Sequence, residues 1–325
     1  ALVGGQVLEH ELSPREVGIV ATAFTAHLRT CHDELLGCAA QVLAREAGGM
    51  EVVDIAAMLR AFRRTALRFE DAVRASLSAC AMPLRRAWLL RKREEGGARA
   101  ADVATVLECA AFFGVQTDFA GLALDYLADR VDEIGEQAAI QLVYAMCLTG
   151  GVATHSRLLR YLFRKIGAGT AWEKHKVRIF QLWLCQQLQF PWLDGRLRRR
   201  CVDTGFRAWS LQRRGYGSPF PDEVREVACE LEAMGVPHRS FVPVPDTPYE
   251  VDIAVGSRKD GLLVISEVAR NSLDPVGGTL LQLHHLKARG WNCVVVPRRV
   301  WLSMAGGAAG SRRKYLESLL TAFAV

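Results

Sequence analysis

The chain has 325 residues, half of them apolar and 23% charged, with a net charge of +6. That length calls for two domains rather than one core. No stretch approaches the roughly 18 consecutive apolar residues of a membrane span, and nine scattered cysteines without a C-x-x-C pair support neither a disulfide framework nor a zinc site.

No secretory leader is visible at Ala1. From about Glu16 to Trp209 the apolar spacing is helical. Val103, Val106, Leu107 and Ala110 fall at i, i+3, i+4 and i+7, one face of a helix. The same face returns at Ala139, Leu142, Val143 and Met146, and again, with one polar exception, at Val177, Phe180, Gln181 and Leu184. A second helix repeats beside it, Leu122, Ala123, Tyr126 and Leu127 matching Leu158, Leu159, Leu162 and Phe163. Ile55, Leu59 and Phe62 hold a similar pattern upstream, and Gly114, Gly150, Gly151 and Gly167 suit helix stops. Two helices in each unit of about 36 residues are the mark of an α-solenoid.

The pattern breaks at Ser210–Pro221, "SLQRRGYGSPFP", where a domain boundary is expected. A helix from Asp222 to Met234 follows. "YEVDIAV", "LLVISEVA" and "WNCVVVP" then read as strands, the first two joined by "GSRKDG". "GTLLQLHHLKARG" and "SRRKYLESLLTAF" read as helices. The expected fold class is α + α/β: an N-terminal α-solenoid of helical-hairpin repeats over residues 1–215 and a small α/β module over 216–325.

The module carries Asp252 in "VDIAV", Glu267 in "LLVISEV", then Gly278-Thr279, Leu286, Gly290-Trp291, Val296-Pro297 and Trp301, and a closing basic helix "RRKYLESLL". In order and spacing, over Pro221 to Phe323, it resembles the RAP domain of organellar RNA-binding proteins. The helical repeats ahead of it are similar to the helical region of FAST-kinase-like proteins and to octotricopeptide repeats. The resemblance implies a fold like a degenerate PD-(D/E)XK nuclease core, in which Asp252 and Glu267 stand where an active nuclease holds a divalent metal. Such a metal would bear transition-state charge and lower the pKa of its water. The lysine that would follow two residues after the Glu is Ala269 here, and "ARNSLD" replaces the acid, Gly, Pro, His and aromatic that members of the family often show at this place. Asp252 and Glu267 are therefore expected to be retained acids without catalysis, and no metal or cofactor is expected. His284-His285 is read as a packed or surface pair, one of which must face the sheet. Trp291 and Trp301 are read as core or rim aromatics.

Charge is unevenly placed. Between His155 and Gly215 fourteen basic residues face three acidic ones, whereas from Tyr216 onward twelve of each cancel. A solvated face mixes signs; this stretch points to a polyanion, bound through phosphate neutralisation. The candidate RNA-binding residues are Arg164, Lys165, Lys174, Lys176, Arg178, Arg196, Arg198, Arg199, Arg200, Arg213 and Arg214. Trp192, Trp209 and Tyr216 are open to stacking on unpaired bases. A basic face for an acidic protein or a membrane surface is the alternative.

The expectation is a non-catalytic RNA-binding protein of the mitochondrial matrix, the compartment being implied by the resemblance. A structural ribosomal protein that holds ribosomal RNA and neighbouring ribosomal proteins is favoured, with no membrane and no small-molecule substrate. Three alternatives stay open: a factor that processes or stabilises particular transcripts, a metal-dependent endonuclease using Asp252 and Glu267, and a protein scaffold without RNA.

Overall fold

A computed structural model describes residues 13–25, 33–90, 98–115, 118–149, 155–168, 178, 180–182, 184–185, 205, 207–208, 220–245, 247, 249–265, 267–305 and 310–323. The chain divides into two units: residues 1–174 with 269–277, and residues 175–268 with 278–325. The expected boundary at 215/216 lies outside the described residues. The described chain is mostly helical with one small mixed sheet towards its C-terminal end.

In the first unit the described helices are α1 (Pro14–Ala23), α2 (Asp33–Glu46), α3 (Val52–Thr65), α4 (Glu70–Leu90), α5 (Ala100–Phe112), α6 (Phe119–Ala128), α7 (Glu136–Thr149) and α8 (Ser156–Ala168). Local chemistry sets their ends. Pro14 opens α1 after Ser13, whose hydroxyl accepts the Glu16 N–H while the Glu16 carboxylate accepts the Ser13 N–H at 2.8 Å. The Ser13 hydroxyl also donates to that carboxylate at 2.7 Å, and this bond, with the one from the Ser13 N–H, holds the Glu16 carboxyl below its ordinary pKa. α3 closes on Ala66 at φ 53°, a left-handed cap that usually selects glycine.

From α1 to α5, each helix packs on the one two places ahead. α1 lies on α3, α3 on α5 and α5 on α7, while α2 lies on α4 and α4 on α6. Adjacent helices α1–α2, α5–α6 and α7–α8 close the hairpins. Helices of the first set begin at residues 14, 52, 100 and 136, and those of the second at 33, 70, 119 and 156. The predicted faces are inside. Val103, Val106, Leu107 and Ala110 are buried, as are Ala139, Leu142, Val143 and Met146. Ala123, Tyr126 and Leu127 match the buried Leu158, Leu159, Leu162 and Phe163, with Leu122 half-buried. Of the third predicted face, Phe180 and Leu184 are buried, Gln181 is half-buried, and Val177 lies outside the described residues.

α5 and α7 are buried on nearly every side, so a polar group there needs an internal partner. Glu108 on α5, with no solvent exposure, is met from both neighbouring helices. Its Oε2 takes the Arg63 guanidinium of α3 at 2.9 Å and the Gln141 amide of α7 at 2.7 Å. Arg63 also lies over the Phe112 ring, 5.5 Å from its centre.

The second unit contains α9 (Pro221–Ala233), β1 (His238–Pro243), β2 (Glu250–Val255), β3 (Asp260–Ile265), α10 (Gly277–Ala288), β4 (Asn292–Pro297), α11 (Arg298–Ser303) and α12 (Ser311–Leu320). Strand order is β1-β2-β3-β4. β1–β2 and β2–β3 are antiparallel, and β3–β4 is parallel across the α10 connection. Three sequence expectations change. A fourth strand, β1, pairs at the edge. β3 ends at Ile265 instead of running through Ala269, so Glu267 lies beyond it. The short α11 starts directly after Pro297, which serves as its N-cap.

One core joins Val224, Val227 and Leu231 of α9 to Ile253, Leu262, Val264, Val296, Trp301 and Leu316. Trp301 is fully buried and Trp291 nearly so. α9 also anchors the C-terminal helices by two similar contacts. Glu223 holds Arg298 at 2.6 Å, with that guanidinium 4.8 Å from the Phe220 ring centre. Glu226 accepts the Trp301 indole N–H at 2.9 Å and holds Arg312, which stacks on the same indole. A Cβ at Gly261 would stand 2.5 Å from Val251 Cγ1, so glycine is required there.

Two stability changes are expected. Glu108→Ala leaves Arg63 and Gln141 without their shared acceptor and should cost about 3 kcal/mol in urea unfolding. Gly261→Ala drives a methyl group into the buried Val251 side chain and should cost about 1–3 kcal/mol by the same measurement.

Candidate functional site

α8 turns Leu158, Leu159, Leu162, Phe163 and Ile166 inward. Arg157, Arg160 and Arg164 fall at i, i+3 and i+7 and are exposed, forming one basic stripe about 10 Å long. Lys165 is half-buried, with its ammonium 5.6 Å from the centre of the Tyr161 ring. At the start of the helix His155 Nε2 stands 2.9 Å from Asp125 Oδ1. α8 itself contains no acidic side chain. The stripe therefore carries a single sign of charge on a rigid element.

Of the predicted RNA-binding residues, Arg164 and Lys165 share α8, and Arg178 is half-buried in the helical segment that follows. Lys174, Lys176, Arg196, Arg198, Arg199, Arg200, Arg213 and Arg214 lie outside the described residues, as do Trp192, Trp209 and Tyr216. Arg157 and Arg160 were counted in the basic stretch but not singled out. The helical period that places Leu158 and Leu162 inside also places these two arginines on the face of Arg164.

The two acids of the α/β unit have structural partners. Asp252 is buried at the place where both neighbouring ladders are interrupted. β1 pairs with β2 at Ser240↔Ile253 and Val242↔Val251 but skips Phe241, whose φ is 54°. On the other side, the β2–β3 partners stop at Ile253↔Leu262. Just beyond, the Val264 N–H donates to Asp252 Oδ2 at 2.8 Å, so the carboxylate substitutes for a rung of the sheet.

Glu267 is exposed. Its Oε2 accepts the Thr279 N–H of the first turn of α10 at 3.1 Å. A Cβ on Gly278 would stand 2.6 Å from that oxygen, so the glycine lets the carboxylate close on the helix N-terminus. Continued along the strands, the β2–β3 register puts Leu263 across from Asp252, and Glu267 follows four residues later. Among the described residues no group of three or more His, Cys, Asp or Glu is placed to hold a metal ion.

The same unit holds a buried pair and a half-buried thiol. The Tyr249 hydroxyl and His285 Nδ1 stand 2.9 Å apart; of the two adjacent histidines it is His285 that is fully buried, with His284 half-buried. Burial, reinforced by the charges of Asp252 and Asp260, pushes the Cys293 thiol up to about 12. No family model matches the sequence, and no curated protein matches it.

These placements yield two expectations. Asp252→Asn keeps an acceptor for the Val264 N–H and should unfold within about 1 kcal/mol of wild type, whereas Asp252→Ala strands that donor and should cost about 1–3 kcal/mol. At pH 8, maleimide should label Cys229, exposed on α9, and leave Cys293 untouched in intact protein, as read by peptide mass spectrometry.

Proposed function

We propose that this chain is a non-catalytic RNA-binding protein of the RAP type, acting in the mitochondrial matrix as a structural component that holds ribosomal RNA among neighbouring ribosomal proteins. The observation that carries the reading is the one-sided stripe Arg157, Arg160 and Arg164 on α8, within a stretch of fourteen basic and three acidic residues. Phosphate contacts from such a stripe release counterions and give affinity without sequence preference.

The stacked hairpins, with matching starts in both helix sets, support a solenoid scaffold that presents this face. The small mixed sheet with a helix between its parallel strands supports the degenerate nuclease-like core of the resemblance. Asp252 and Glu267 both spend an oxygen on a backbone N–H, in keeping with acids that now serve the fold. No helix among the described residues is long and apolar enough to cross a membrane.

Reversing the stripe (Arg157→Glu, Arg160→Glu, Arg164→Glu) should abolish binding to single-stranded RNA at physiological salt. Replacing the three by Gln should reduce the slope of log affinity against log salt by about two. Unchanged RNA association in the reversed variant would favour the scaffold reading. Sedimentation of organelle lysate separates the two RNA roles. Comigration with a ribosomal subunit in high salt supports the structural one, and light fractions shifted by RNase support a transcript-specific factor.

The second reading, a manganese-dependent endonuclease, rests on the resemblance at Asp252 and Glu267. Cleavage that appears with manganese and vanishes in Asp252→Asn, which preserves the sheet contact, would establish it.

A further inference from the structure

Residues 269–277 follow β3 in the chain yet belong to the helical unit. Within that unit they meet the corner between α3 and α4, more than two hundred residues earlier. The corner needs partners. α3 has ended on the left-handed Ala66. The Leu67 N–H still returns to the Phe62 carbonyl of α3 and the Phe69 carbonyl takes the Val73 N–H of α4, but the Ala66 carbonyl and both backbone groups of Arg68 turn to the segment instead.

The segment supplies three. The Arg270 N–H donates to the Ala66 carbonyl at 2.8 Å. Asn271 then uses both ends of its amide on one residue: Oδ1 accepts the Arg68 N–H at 2.9 Å, and Nδ2 donates to the Arg68 carbonyl at 2.6 Å. A side-chain amide thus stands in for the backbone of a neighbouring strand.

Charge adds a second layer. Asp274 Oδ2 takes Arg68 Nη1 at 2.6 Å while Glu70 takes Nη2 at 3.0 Å. Arg270 pairs with Asp33 of α2 at 3.2 Å. The segment is also shaped for the fit. The Ala269 N–H donates to the Asp274 carbonyl and the Leu273 N–H to the Ala269 carbonyl, closing a tight loop with Leu273 at φ 64°. Non-glycine residues in the left-handed region therefore stand on both sides of the contact, Ala66 and Leu273, a cost that persists only where surroundings hold it. This is the same "ARNSLD" stretch that departs from the RAP pattern.

We propose that the α3–α4 corner is a loop-binding site of the helical unit, and that Arg270–Asp274 is its docking motif, read by Asn271 at the Arg68 peptide group and by Asp274 at the Arg68 guanidinium. The motif's chemistry is specific: an amide that both donates and accepts, and a carboxylate three residues on. Glutamine, one methylene longer, cannot keep both amide bonds without moving the loop. Asp274 and Asp33 also place a carboxylate against each of the two arginines, Arg68 and Arg270.

The test uses the full-length chain and amide hydrogen exchange on peptides covering residues 66–70, with α5 peptides as the internal reference. Each net hydrogen bond is worth roughly a factor of five in a local opening equilibrium. Asn271→Ala should therefore speed exchange at 66–70 by about 25-fold. Asn271→Asp, which keeps the acceptor for the Arg68 N–H and loses the donor, should speed it by about fivefold. Asp274→Asn should have a smaller effect, no more than about fivefold, that fades in high salt. Exchange at α5 should not change in any of the three.

Unaltered exchange at 66–70 in Asn271→Ala overturns the proposal. So does acceleration that is equal at 66–70 and α5 in both Asn271 variants, because that would mean global loosening and not a docking site. Neither result depends on whether the chain binds RNA.

Discussion

A carboxylate without access to water stands in the middle of the helical unit, and that unit is arranged around its needs. Glu108 lies on α5, a helix buried nearly all round, where an unpaired charge would cost several kcal/mol. It is tolerable because α3 brings a guanidinium and α7 an amide to the same oxygen. Those donors can arrive together only if α3, α5 and α7 keep one axial register. The buried aliphatic faces supply most of the attraction between helices but slide past one another at little cost. The shared acceptor does not slide, and so it specifies the stacking that the apolar faces leave loose.

The α/β unit uses its acids in a comparable way. Asp252 lies where β1 skips one pairing with β2 and β3 stops pairing with it, and takes the Val264 N–H in place of a ladder bond. Glu267 sits at the N-terminus of α10 and takes the Thr279 N–H. One acid thus trims the sheet and the other caps the helix that joins its parallel strands. The proposed RNA contact draws on neither of them. It draws on α8, where an apolar face fixes the helix and leaves three arginines pointing the other way.

Much of this was legible in the residues. The period of Val103, Val106, Leu107 and Ala110 and its return at Ala139 marked the buried faces correctly, because burial of a helix stripe is a local pattern. β2, β3 and β4 were visible as apolar runs. β1 was not, because "HRSFVP" at a sheet edge is only partly buried and carries no alternation to read. The end of β3 was placed too late because Val268 and Ala269 continue the apolar run after the strand has stopped. An acid inside "VDIAV" announced the need for a partner, but the partner is a backbone N–H chosen by sheet register, which no local pattern encodes. The Asn271–Arg68 contact spans 203 residues, and a polar turn gives no hint of what it will touch.

The geometry of β1 has one more consequence. An edge strand exposes a rail of backbone donors and acceptors to any extended chain that comes near, and proteins held close together in an assembly are the most at risk of joining through it. Here that rail is broken at Phe241, whose left-handed conformation turns the backbone out of line, and it stops at Pro243, which has no N–H to offer. Only His238 to Ser240 remain uninterrupted, too short a template for another strand to add on. The bend at Phe241, opposite Asp252, therefore leaves the β1 edge a poor place for another molecule's strand to add on.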